Sequence, residues 1–288
     1  MQIVHTKAEV RAAVAAARAR GARIALVPTM GYLHEGHLSL VRRAREQAGW
    51  VGVSLFVNPL QFGPGEDLER YPRDLARDAE LAAGAGADLL FAPGAAEMYP
   101  DGAPRVAVVP EQGAEALCGR ARPGHFRGVL TVVAKLFGIF SPDVAVFGQK
   151  DFQQAALIGR MVRGLDLPVA LDVAPTVREP DGLAMSSRNR YLTPEQRVQA
   201  RALSQALARG RALFAAGETD AEAVRSAVRT RLAEAGVEVE YVELVDAATL
   251  EPLRRLVPGA VCAVAARVGT TRLIDNTVFP AGEGALPL

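Results

Sequence analysis

Apolar and polar positions in the first part of the chain fall into two alternating patterns. Residues 23–29, 50–57, 88–92, 144–147 and 169–175 are short runs that are apolar almost throughout. Residues 36–47, 66–83, 129–140 and 152–163 place apolar side chains at helical spacing instead. Runs of the first kind read as strands buried on both faces, and those of the second as helices covering them. Pro72 fits the first turn of its helix, and residues 106–109 read as a further short strand. Strands and helices in this alternation predict a parallel, doubly wound sheet with ligands at the carboxyl ends of its strands.

The pattern changes near Val177. Thr193-Pro194-Glu195-Gln196 carries the marks of a helix start: a capping threonine, a proline at the first helical position and an acidic first turn. A long helix is expected from there to about Ala215, and a second over 219–235, closed by Gly236. Residues 238–245, 260–267 and 271–275 then read as strands, the last two joined by a turn at Gly269. The expected fold class is α/β, with a Rossmann-like domain over 1–175 and a smaller α+β lid domain over 176–288.

Composition narrows the function classes. Half of the 288 residues are hydrophobic, so a large core is expected and disorder is not. Net charge is +1, without a basic run that would follow a phosphate backbone, so no nucleic-acid partner is expected. No apolar stretch is long enough for a bilayer and no signal-peptide pattern opens the chain, so a cytoplasmic protein without a membrane partner is expected. Cys118 and Cys262 lie far apart without metal-ligand spacing, which fits a reducing compartment.

Three separated segments carry phosphate chemistry. Pro28-Thr29-Met30-Gly31-Tyr32-Leu33-His34-Glu35-Gly36-His37 sits at a strand-to-helix turn, where backbone N–H groups and the helix dipole favour an anion. Its two histidines share a helix face. Gly148-Gln149-Lys150-Asp151 follows another strand and holds one of only three lysines. Met185-Ser186-Ser187-Arg188 offers hydroxyls and a fixed charge in the segment joining the domains. His34, His37, Lys150 and Arg188 are thus candidate donors to a phosphoryl centre. Asn58, Gln61 and Gln154 are amides expected at the sheet's carboxyl edge, able to read the hydroxyl and carboxylate groups of a small acid. Gly63-Pro64-Gly65 is a candidate mobile lid. Asp74 and Asp78 share a helix face, either as surface carboxylates or beside magnesium. Arg122, His125 and Arg127 face an anion or simply charge the surface; the residues alone leave both open.

Taken together and in order, these segments resemble the pantoate–β-alanine ligase family, within a wider nucleotidyltransferase group that carries a His-Ile-Gly-His-type element. That element is His34-Glu35-Gly36-His37 here, and the group's second, Lys-Met-Ser-Lys-Ser-type element is Met185-Ser186-Ser187-Arg188. Phe56-Val57-Asn58-Pro59-Leu60-Gln61-Phe62 and Gly148-Gln149-Lys150-Asp151-Phe152-Gln153-Gln154 make the resemblance specific. It covers roughly residues 25–190, with a further match at Glu240-Tyr241-Val242-Glu243-Leu244-Val245-Asp246. Serine and arginine stand where the wider group often has lysines, which argues against a tRNA synthetase.

The resemblance implies that pantoate attacks the α-phosphate of ATP, giving pantoyl adenylate and pyrophosphate, and that β-alanine then displaces AMP. It implies that residues 30–37, 148–151 and 185–188 and Val177 hold ATP. Gln61 and Gln154 would hold pantoate, and Gln61 would also lie near β-alanine. His37 would be the proton donor, although phosphate stabilisation alone would also explain a need for it. Asp78 would attend Mg²⁺, and the chain would form a homodimer. An adenylyltransferase or another acid-activating ligase on the same fold is the alternative enzyme; a nucleotide-binding regulatory protein is the non-enzymatic one.

Overall fold

The computed structural model describes residues 1–279. The first part of the chain runs β1 (Gln2–Val4), α1 (Lys7–Ala19), β2 (Ile24–Thr29), α2 (Glu35–Gln47), β3 (Trp50–Leu55), α3 (Leu75–Gly84), β4 (Leu89–Phe91), α4 (Ala95–Met98), α5 (Leu117–Ala121), α6 (His125–Phe140), β5 (Val144–Gly148), α7 (Phe152–Gly164) and β6 (Ala170–Ala174). The second part runs α8 (Pro194–Ala200), α9 (Ala202–Ala215), α10 (Ala221–Glu234), β7 (Glu238–Val245), β8 (Ala260–Val268) and β9 (Thr271–Phe279).

The first six strands form one parallel sheet in the order β1-β4-β3-β2-β5-β6. The chain steps outward from β2 through β3 and β4, then returns to lay β5 on the other side of β2. That reversal opens a crevice at the carboxyl ends of β2 and β5, the usual ligand position of such sheets. The apolar runs are explained by two dry faces. Ile24 and Leu26 enter one core with α1, α6 and α7, whereas Ala25 and Val27 enter the opposite core with α2 and α3. Gly52 is required by close packing, since a Cβ there would lie 2.5 Å from the Phe140 ring.

The second sheet is antiparallel, β7-β8-β9, and it too is buried on both sides. Val242, Leu244, Cys262 and Val264 pack on α9 and α10. Their alternates Tyr241, Val245, Val261, Ala263 and Ala265 belong to the same core as Phe152 and Ile158 of α7. The seam also carries polar ties. Cys118 Sγ lies 3.1 Å from the Tyr241 hydroxyl, and Asn276 Nδ2 donates to the Gln149 and Lys150 carbonyls at 2.9 and 3.0 Å. The expected second domain extends to residue 288, and its part beyond 279 lies outside the described residues.

Several expected elements differ. The helix expected over 66–83 begins only at Leu75, where Asp74 Oδ1 caps it by accepting from Arg77 N at 3.1 Å. The residues before it are a loop, because Glu66 and Asp67 are drawn into ion pairs with Arg122 and Arg188. Residues 106–109 are not a strand: Val106 and Val109 are exposed, and the Val108 N–H goes to Thr131 Oγ1 rather than to a neighbouring strand. The helix expected from 194 to about 215 is divided at Arg201, whose backbone nevertheless stays in the helical region. The helix expected over 129–140 begins earlier, because α6 starts at His125 after a left-handed Gly124. β9 runs to Phe279 rather than stopping at Asp275, with buried Asn276 and Thr277 continuing its pairing. β1 and α1 were not expected, although Thr6 and Glu9 form a capping box before Val10, Val14 and Ala17.

Candidate functional site

Two connected cavities lie at the carboxyl edge of the parallel sheet. The inner one, of about 210 Å³, is bounded by the ends of β2, β3 and β5, by α6, and by the segment joining the domains. The outer one, of about 580 Å³, lies between loop 64–70, residues 117–126 and the second sheet. Arg122, His125, Lys150, Asp151, Gln154, Ser186 and Arg188 line both.

The β2–α2 turn is held by an unusual carboxylate. Gly31 and Tyr32 both take positive φ, at 87° and 51°, a strained conformation for a tyrosine. Asp78, buried on α3, accepts from the Tyr32 and Leu33 N–H groups at 2.7 Å each, which fixes that conformation. Burial pushes the Asp78 carboxyl upward, against those two bonds. Both of its oxygens are therefore engaged in bracing the turn, and the expectation that Asp78 attends a metal does not fit its surroundings. Among the described residues no three His, Cys, Asp or Glu side chains gather as a metal site.

His34 and His37 stack with ring centroids 4.0 Å apart. Burial, then the nearby Lys150, lowers the His34 pKa to about 4. Burial, then His34 and Lys150, holds His37 well below its usual value. Both rings are neutral at neutral pH, so the expected cationic donors are Lys150 and Arg188 alone, while the histidines offer N–H groups. His37 Nδ1 accepts from the His34 backbone N–H at 3.4 Å, which leaves the proton on Nε2. Gly36 makes room for this pair, since a Cβ there would stand 3.0 Å from the His34 ring.

Of the segment 30–37, Met30, His34, Gly36 and His37 line the inner cavity. The others serve elsewhere. Leu33 is wholly buried in the core, Glu35 pairs with Arg42, and the Tyr32 ring lies against the Arg77 and Arg190 guanidinium groups, 5.0 and 4.8 Å from its centroid. Gly148, Lys150 and Asp151 line the cavity, whereas Gln149 turns toward Asn276 Oδ1 at 3.2 Å. Val177, Met185, Ser186, Ser187 and Arg188 all line it. Arg188 is held by Asp67 through two contacts of 2.9 Å, and the Ser187 hydroxyl lies 3.2 Å from that of Tyr71.

Gln61 and Gln154 reach the cavity as expected. Asn58 does not. It is buried, receives the Tyr99 hydroxyl on Oδ1 at 2.8 Å, and donates from Nδ2 to Gln61 Oε1 and the Gly128 carbonyl at 3.1 Å each. It therefore orients the Gln61 amide with its NH₂ group toward Met30 Sδ, 3.1 Å away. Arg122 and His125 meet at the Gln61 carbonyl. Arg127 is not among the residues lining either cavity. Asp74 acts as the cap of α3.

Sequence reasoning missed the cavity floor. Val129, Val132, Val133 and Leu136 of α6 line it with Phe56 and Phe147. Helical spacing of valines and leucine cannot separate a cavity floor from ordinary core. It also missed Ser54, Thr176 and Tyr71. Ser54 Oγ, Thr176 Oγ1 and His34 Nδ1 are buried without a partner, and all three residues line the inner cavity. Buried polar atoms without partners cost about 1–3 kcal/mol each, and three of the six among the described residues are in this cavity, where a polar ligand could satisfy them.

Comparison with known proteins bears on the chain as a whole. The family model described as pantoate-beta-alanine ligase matches residues 2–278. A pantothenate synthetase of Moorella thermoacetica is 56% identical over 284 residues, covering 98% of this chain and all of the relative. A crystal structure of pantothenate synthetase from Thermus thermophilus is similar with a TM-score of 0.92 and 48% identity, over 96% of this chain and 99% of the other. A structure of pantoate-beta-alanine ligase from Francisella tularensis, complexed with beta-gamma ATP and beta-alanine, is similar with a TM-score of 0.79 and 32% identity, over 96% and 97% of the two chains.

Proposed function

The chain belongs to the pantoate–β-alanine ligase family, and from that premise we propose how its residues divide the work of joining pantoate to β-alanine with ATP. The observation that carries the assignment is the inner cavity. It brings two neutral histidines, a lysine, an arginine and two glutamines together with an apolar floor.

ATP lies with its phosphates against His34, His37, Lys150, Ser186, Ser187 and Arg188, beside Met30, Gly36, Gly148, Asp151, Val177 and Met185. Gln61 and Gln154 hold pantoate over the α6 floor. A pantoate carboxylate oxygen attacks the α-phosphorus, the bond to the bridging α–β oxygen breaks, and pyrophosphate leaves with that oxygen. Charge grows on the phosphoryl oxygens and the leaving group, where preorganised N–H groups and fixed cations stabilise it most. The uncharged β-alanine amine then attacks the acyl carbon of pantoyl adenylate. The acyl C–O bond breaks, AMP departs with that oxygen, and the amine proton is lost. The apolar floor and loop 63–74 keep water from the mixed anhydride. Because the His37 ring is neutral, its Nε2–H serves the phosphoryl oxygens as a hydrogen-bond donor rather than as the expected proton donor.

Mg²⁺ fits as a companion of the ATP phosphates rather than of a protein cage, since it commonly takes few carboxylates and several phosphate oxygens or waters. It would supply charge neutralisation there, and no residue described above is committed to it. The residues 1–175 and 176–288 form the proposed ATP-and-acid domain and its cover. The resemblance supports a homodimer, which sedimentation would test, and the buried thiols Cys118 and Cys262 suit a cytoplasmic setting. No helix of the described residues is long and apolar enough to cross a membrane.

The route is tested by incubating the protein with ATP, Mg²⁺, pantoate and β-alanine, each omitted in turn. AMP and pyrophosphate are the expected products. Exchange of labelled pyrophosphate into ATP should require pantoate but not β-alanine. ADP and inorganic phosphate as products would overturn the adenylate route.

A further inference from the structure

The turn at 122–128, whose charged residues had no clear task in the sequence, closes on one atom. The Gln61 backbone oxygen accepts from His125 Nδ1 at 2.8 Å and from Arg122 Nη2 at 3.2 Å. Because a carbonyl only accepts, the His125 proton sits on Nδ1. Arg122 Nη1 lies 3.1 Å from His125 Nε2, and since a guanidinium only donates, Nε2 carries a lone pair. One neutral tautomer therefore satisfies the ring at both nitrogens. The same arginine is fixed from outside by Glu66, its Nε donating to Oε1 at 2.7 Å.

The backbone is arranged for this convergence. Gly124 takes φ 80°, which turns the chain so that Arg122 and His125 approach Gln61 from either side of a bend. One helical turn further, Gly128 packs directly on the Leu60–Gln61 peptide, and a Cβ there would run into the Leu60 carbonyl. The Gly128 carbonyl accepts from Asn58, which also holds the Gln61 side-chain oxygen. Gln61 is thereby gripped at its backbone by the start of α6 and at its side chain by Asn58. Only its NH₂ group is left for a ligand.

We infer that Arg122 and His125, although they line the cavity, act chiefly as positioning residues for the acid substrate: they set the backbone of Gln61 so that its amide meets pantoate. This rests on the reading of Gln61 as a pantoate ligand. A hydrogen bond lost at a buried carbonyl should displace the amide by enough to weaken pantoate binding about tenfold. ATP binding should be unaffected.

Steady-state kinetics of His125→Leu, His125→Asn and Gln61→Ala, with calorimetric titration of pantoate and of a non-hydrolysable ATP analogue, test this. The asparagine amide stands close to where Nδ1 was and can still donate to the Gln61 carbonyl. Expected is a rise of roughly tenfold in the pantoate KM for His125→Leu, with the ATP KM unchanged, and recovery of most of that loss in His125→Asn. Equal rises in both KM values, or an asparagine variant no better than leucine, would make His125 a general structural residue and overturn the inference. If His125→Leu does not fold, Arg122→Met keeps the ring and removes the second donor; an unchanged pantoate KM in that variant would also overturn it. Gln61→Ala separates the two failures. A pantoate KM unmoved by Gln61→Ala overturns the ligand reading and the inference with it, whereas one raised by Gln61→Ala but unmoved by His125→Leu overturns the inference alone.

Discussion

His37 carries no charge at neutral pH, yet it lines the cavity in which the proposed reaction develops phosphate charge. Its contribution is a fixed N–H whose orientation the His34 backbone has already set. Such a donor stabilises a transition state more than the ground state. His37→Ala should therefore slow adenylate formation by about 10²–10³-fold, as for one lost oxyanion donor, and weaken ATP binding much less. Single-turnover rapid quench checks this, and an unchanged rate would refute it. The buried imidazoles also set a pH dependence of stability. His34 and His125 titrate near 4 in the fold, and His37 is lowered as well, against an ordinary value of 6.5. Between those values the unfolded chain binds more protons than the folded one, so their contribution is present above about 6.5 and is lost as pH falls toward about 4. Each such histidine adds up to about 1.4 kcal/mol per pH unit to the slope. Urea midpoints measured across that window should fall with acid, and less steeply in His125→Asn.

At the scale of elements, loop 63–74 ties together two walls of the site. Its adjacent carboxylates Glu66 and Asp67 reach opposite walls, one to Arg122 beside the acid and the other to Arg188 of the phosphate clamp. Asp67 thus occupies the guanidinium that the proposed ATP site assigns to the phosphates. Apparent affinity falls by the fraction of molecules in which Arg188 is engaged. Asp67→Asn should therefore bind a non-hydrolysable ATP analogue more tightly, by roughly threefold or more, and weaker binding in calorimetry would contradict this. The loop shows why the sequence was legible only in part. The strands of the parallel sheet announced themselves because both faces are dry, and the turns that line the inner cavity because glycine, histidine, lysine and serine sit at strand ends. Residues 66–74 have helical spacing, but two long-range ion pairs outweigh it. Asn58 was correctly placed at the sheet edge and wrongly pointed, since one rotation about a side chain separates a ligand from a support. Asp78 likewise lies near the site while bracing a backbone. The apolar floor on α6 gave no signal distinct from core.

On the scale of the whole molecule, the second sheet is the piece that joins everything. Its inward face shares a core with α7, and its Asn276 grips the turn that carries Lys150. The two domains should then unfold together. Calorimetry of the full chain is expected to show one transition with equal calorimetric and van't Hoff enthalpies, and two resolved transitions would show independent domains. ATP-driven closure should come chiefly from loop 63–74, so small-angle scattering should change little on adding the analogue. The shared core has a further consequence during synthesis. Phe152 and Ile158 leave the ribosome well before Ala263 and Ala265, the residues that share their core. At about 5–20 residues per second the nascent ATP-binding half waits on the order of ten seconds with an apolar flank uncovered. For that interval the half that will hold the nucleotide is a client for chaperones, and its completion is timed by the translation of the other half.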